Sequence, residues 1–101
     1  MELPSNIQIV EESWLARLAA AKLHTRQVAL VLGRRIYLWG IEKQDFLQNE
    51  KWVRHELAHI AQFKQYGFSR FLLLYGWEWM RRGYYNNRFE VEARAAEEKT
   101  N

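Results

Sequence analysis

Cysteine is absent from these 101 residues. That excludes disulfide staples and thiolate zinc ligands, and leaves the redox compartment open with a lean towards the cytosol. No apolar run approaches the roughly 18 residues that a membrane span needs. The opening MELPSNIQIVEESW has no basic region leading into an apolar stretch, so no secretory signal is expected and the expected location is cytoplasmic. Net charge is only +3. The basic residues are scattered through RQVALVLGRR, KWVRH and WMRRG. Without a single dense patch they argue against nucleic acid and leave a weak preference for anionic partners. Neither an internal repeat nor a linker interrupts the chain, and its length fits one domain over residues 1–101.

What is present is apolar and aromatic. Hydrophobic residues make up 49% of the chain, with five each of Trp, Tyr and Phe. ESWLARLAAAKLH, residues 12–24, predicts an amphipathic helix with Trp14, Leu15, Leu18 and Leu23 on one broad side. Two β-branched or aromatic runs follow, Gln27–Leu32 and Ile36–Trp39, around Gly33-Arg34-Arg35, and predict a hairpin or sequential strands. Asp45 is placed to cap a short helical turn. NEKWVRHELAHIAQFKQY, residues 49–66, predicts a helix ended by Gly67, with Trp52, Val53, Leu57, Ile60, Ala61 and Phe63 inward. Ser69 offers an N-cap for RFLLLYGWEWMRR, stopped by Gly83; Gly76 within it costs about 1 kcal/mol relative to Ala, which points to close packing against a neighbour. Tyr84 to Asn87 form a turn-rich connector, and RFEVEARAAEEK a last helix with Phe89, Ala93 and Ala96 on one face. The fold class is therefore α+β: mainly helical, with a small two- or three-stranded sheet.

The chemistry concentrates in RHELAHIAQF, residues 54–63. His55 and His59 are four apart, so on a helix both imidazoles project from one face and can grip one ion. Glu56, next to the first histidine, can reach water at that ion without being a ligand. This H-E-x-x-H arrangement suits zinc, with the glutamate as general base. A catalytic zinc takes three protein ligands. His24 has no partner at helical spacing and reads as a helix C-terminal or surface residue, and the single aspartate, Asp45, lies upstream. Later carboxylates remain: Glu78, with Arg82 as its ion-pair partner; Glu97 and Glu98, near an expected frayed end; and Glu90 and Glu92, which flank the apolar stripe. Periodicity does not choose between the last two.

VRHELAHIAQF with GYYNNRFEVEARAAE resembles the zincin metallopeptidases of the gluzincin kind, and more closely small bacterial stand-alone domains with His-Glu-Leu-x-His-x-x-Gln, a Tyr-rich turn and Asn-Pro-Phe-Glu-x-Glu-Ala. The resemblance covers roughly residues 30–97 and is stronger after Trp52. It implies a minimal zincin-like domain with an active-site helix and a glutamate helix. It also implies zinc held by His55, His59 and Glu90, the glutamate three before Ala93, with Glu92 the alternative third ligand. Gln62, Asn87, Phe89, Glu92 and Ala93 match its pattern. Arg88 stands in place of the usual proline. Arg94 stands where larger gluzincins carry an aspartate behind a histidine, so that support must come from elsewhere.

The expected reaction is hydrolysis of a peptide bond, with Glu56 taking the water proton and passing it to the leaving amine. A strand edge, Val28–Leu32 or Ile36–Trp39, would hold an extended peptide or protein substrate. Support for the developing oxyanion would come from Tyr84, Tyr85 or Tyr75; the turn carrying Tyr84 and Tyr85 leads directly into the Glu90 helix, which favours those two. The alternative is a catalytically inactive zinc-binding domain that binds peptide or protein partners or senses metal. Glu56 weighs against it, since a structural site needs no such carboxylate and is normally closed by a fourth protein ligand.

Overall fold

Gly33 and Arg34 make a two-residue turn: Leu32 pairs with Arg35 directly across them. Gly33 supplies a positive φ of 66°, which a side-chain-bearing residue adopts only at a cost. The computed structural model describes residues 3–99. Strand β1 (Gln8–Val10) leads into α1 (Trp14–Leu23), then into the hairpin strands β2 (Val28–Leu32) and β3 (Arg35–Trp39). Four helices follow: α2 (Lys43–Gln48), α3 (Glu50–Tyr66), α4 (Phe68–Asn86) and α5 (Arg88–Ala96). The class is α+β, with a small mixed sheet in the order β1-β3-β2. β1 runs parallel to β3 and β2 antiparallel to it, so β2 is an edge strand.

Helix α1 departs from its expected orientation. Ser13 caps it through its hydroxyl, which accepts from Ala16 N at 3.3 Å, but Ala16 and Ala20 form the buried side, against Val28. Small side chains let the helix lie close on the sheet, and Trp14 and Leu18 are consequently exposed. His24 ends the helix in the left-handed conformation, as its C-cap.

The rest of the core gathers under α3. Val53 and Phe63 from α3 pack with Ile36 and Leu38 of β3, Phe46 of α2, Phe71 of α4 and Phe89 of α5. Ala61, expected inward, is exposed. Asp45 lies in the first turn of α2 and does not cap it, since Glu42 is the N-cap and makes no side-chain cap bond; Asn49 Oδ1 caps α3 by accepting from Trp52 N. Gly67 ends α3 and begins α4 at once, so Ser69 lies inside α4 and caps nothing. At Gly83 the backbone leaves helical geometry (φ 77°, ψ 177°), and Tyr84 to Asn86 form one further helical turn where a connector was expected. A Cβ at Gly76 would meet nothing within 4 Å, so close packing inside the chain does not explain that glycine. Among the described residues no helix is long and apolar enough to cross a membrane.

Candidate functional site

Helix α3 shows His55, Glu56, His59 and Gln62 to the interior of the domain, where Glu56, His59 and Gln62 are buried. The helix opposite is α5, and its entry is fixed by three hydrogen bonds. Asn87, fully buried, accepts from Phe89 N at 2.9 Å and donates its Nδ2 to Tyr75 O at 3.2 Å. Glu78 Oε1 accepts from Arg88 N at 3.0 Å and also holds Arg82 at 3.4 Å. Arg88 thus donates an N–H that a proline at this position could not. With the first turn of α5 tied to α4, Glu90 is aimed at the histidines.

The structure brings His55, His59 and Glu90 together, each offering one ligand atom within 4.8 Å of the others. Glu90 Oε1 lies 2.9 Å from His55 Nε2 and 3.2 Å from His59 Nε2. Donors on a tetrahedral zinc, with bonds of about 2.0–2.1 Å, stand roughly 3.3 Å apart, close to the two Glu90–histidine distances, and the two imidazole nitrogens lie within 4.8 Å of each other. Glu90 Oε2 accepts from the Tyr75 hydroxyl. Glu92 is exposed and receives Gln62 Nε2 at 3.1 Å; it does not reach the cluster.

Each histidine is also gripped from behind. His55 Nδ1 donates to Glu97 Oε2 at 2.8 Å, and His59 Nδ1 to Gln62 Oε1 at 2.8 Å. The Gln62 amide is oriented by its own donations to Phe89 O and Glu92 Oε1, both at 3.1 Å. Outer acceptors of this kind fix the tautomer and direct Nε2 to a cation. Glu97 is not left loose at a frayed end: Arg54 donates two hydrogen bonds, at 2.9 and 2.7 Å, to its backbone oxygen. Its role was discoverable in the sequence, because Glu97 stands seven residues after Glu90, two turns along the same helical face. Gln62, three after His59, follows the same logic. Glu97→Ala should weaken metal affinity by roughly 10–100-fold with helix content unchanged, as read by competition against a chromophoric chelator. Unaltered affinity would make the contact incidental.

Without a metal the cluster is an internal ion network. Burial opposes charge on His55, but the Glu90 hydrogen bond and the Glu56 and Glu97 carboxylates outweigh it and raise its pKa to about 9. His59 is raised against burial by Glu90 in the same way. Burial also opposes ionisation of Glu90, yet hydrogen bonds from both histidines hold its carboxyl well below the usual range. A bound cation would compete with the proton on His55 for this cluster. Glu56 is the outlier. It accepts from Trp52 Nε1 at 3.1 Å and is not among the converging ligand atoms. Burial raises its carboxyl to about 7, against the lowering effect of His59 and His55.

These groups line a cavity of about 170 Å³ whose other walls come from α1, β2 and α4, including Leu30, Phe71, Leu72 and Tyr84. The three tyrosines part company here. Tyr75 is engaged with Glu90. Tyr84 lines the cavity, its phenol pushed up by burial and by the Glu90 and Glu56 carboxylates, so it stays a proton donor. Tyr85 lies outside, 68% exposed, with the Arg94 guanidinium 3.9 Å over its ring. Comparisons with protein-family models, curated proteins and solved structures found no match to this chain.

Proposed function

We propose that this chain is a zinc-dependent peptidase of the gluzincin-like kind. The observation that carries the reading is the buried Glu56 carboxylate on the wall of the cavity, beside the His55, His59 and Glu90 donors and outside their set. The donor set suits zinc, since two imidazole nitrogens with one carboxylate oxygen match a borderline-soft ion better than the oxygen-seeking Ca²⁺ or Mg²⁺. Zinc held there supplies Lewis-acid polarisation of a carbonyl and acidification of water at neutral pH. Glu56 accepts the proton of the attacking water and returns it to the leaving nitrogen, a task that favours a carboxyl titrating near 7. Trp52 Nε1 and the cavity wall keep that carboxylate in place. Tyr84, on the cavity wall and also interacting with Glu90, is the proposed donor to the developing oxyanion, whereas Tyr75 positions Glu90. β2 lines the same cavity, and among the described residues no strand pairs with its outer edge, which fits an extended peptide laid alongside it.

The expected result is one zinc per chain in protein purified without added metal. Cleavage of an unfolded-protein library should be lost with a chelator and restored by zinc, with products read by mass spectrometry. Failure to take up zinc at micromolar concentration would end the reading. A fully loaded protein that cleaves nothing would make the domain a zinc-binding module.

A further inference from the structure

Two of the helices that wall the cavity carry large apolar side chains on the outside. On α4, Leu73, Trp77 and Met80 are 76%, 59% and 83% exposed, and Leu72, itself a lining residue, is partly exposed beside them. Spacings of three, four and seven put Leu73, Trp77 and Met80 on one face, and a Cβ added at Gly76 between them would meet nothing within 4 Å. On α1, Trp14 and Leu18 are likewise exposed and stand at four-residue steps from Lys22, which lines the cavity.

The charges on these helices have one sign. α1 carries Arg17 and Lys22 and no acid. α4 carries Arg70, Arg81 and Arg82, and its only acid, Glu78, is buried and held by Arg82. Among the described residues Arg17, Lys22, Arg70 and Arg81 lie in no ion pair. α4 has no exposed acid; Glu11 and Glu12 are exposed just before α1, and the other exposed acids among the described residues are Glu42, Asp45, Glu50, Glu92 and Glu98. Two copies meeting through α4 would set arginines against arginines in either direction. An anionic surface with an apolar interior satisfies both the arginines and the exposed Leu, Trp and Met side chains.

We propose that the α1–α4 rim of the cavity docks on an anionic lipid bilayer, with Trp77, Leu73 and Met80 entering the interface and Arg70 and Arg81 meeting the headgroups. The cavity then opens beside the membrane surface. The full chain should co-sediment with vesicles of phosphatidylcholine mixed with phosphatidylglycerol, but not with phosphatidylcholine alone, and less so as salt is raised. L73E/M80E should lower the partition coefficient by more than about tenfold, with an unchanged circular dichroism spectrum. Val91→Glu, at an exposed apolar position on α5, should leave it unaltered. Absence of binding to the anionic vesicles overturns the proposal, as does equal binding by L73E/M80E. A dimer in sedimentation that the same double variant dissolves, without vesicle binding, would assign the face to a second copy. None of these readouts involves zinc or cleavage, so the docking face stands or falls apart from the peptidase reading.

Discussion

Glu56→Gln should retain one zinc per chain and the wild-type fold, yet lose hydrolysis by at least roughly 10²–10⁴-fold. The substitution keeps shape and removes only basicity. Glu56 Oε2 accepts from Trp52 Nε1 at 3.1 Å, and an amide oxygen can accept the same bond. No ligand atom is lost, because the converging donors are those of His55, His59 and Glu90. Removing a buried carboxylate that is raised to about 7 by its burial also relieves a desolvation cost, so stability should hold or rise slightly. The amide cannot take a proton from water at neutral pH. Metal content by elemental analysis, thermal unfolding and cleavage by mass spectrometry separate the three consequences. Loss of zinc with activity would show that Glu56 is needed for the site itself. Equal cleavage by both proteins would point to another base.

Glu90→Gln should lower zinc affinity by more than about 100-fold, beyond the 10–100-fold typical of outer partners, while Glu92→Gln should change it only a few-fold. One oxygen of Glu90 serves both histidines, at 2.9 and 3.2 Å. Its neutral replacement removes the ligand charge and leaves His55 and His59 without their shared counter-charge. Glu92 touches the cluster only through Gln62 Nε2, at 3.1 Å. Competition titration of both variants against the same chelator gives the ranking. The reverse order would transfer the ligand to Glu92.

Helix α3 was legible because its signals agree: Asn49 and Gly67 bound it, and the apolar spacing places His55 and His59 together. The small sheet was legible in part. The hairpin shows as two β-rich runs around Gly33, whereas β1, three residues long, is too short for alternation to register and exists by pairing with β3. In α1 hydrophobicity and burial do not coincide. Ala16 and Ala20 permit close approach to the sheet, while Trp14 and Leu18 are left outside. Within the site, local spacing supplied the histidine pair but could not choose between Glu90 and Glu92. That choice depends on the rotation of α5, set by Asn87, Tyr75 and Glu78, contacts between residues distant in sequence. Glu97 was set aside for standing near a chain end, although Arg54 pins its carbonyl from 43 positions away.

The hydroxyl of Tyr75 has a consequence for coordination number. It occupies Glu90 Oε2 and leaves Oε1 facing the imidazoles. A carboxylate divided in this way turns one oxygen towards a cation and engages the other elsewhere. Large, many-oxygen ions such as Ca²⁺ rely on carboxylates that swing to grip with both oxygens and accept six to eight donors. Here the phenol hydrogen bond favours the one-oxygen orientation, in which the converging ligand atoms are two nitrogens and a single oxygen. On the zinc reading proposed above, Tyr75 would bear on ion choice without being a ligand itself.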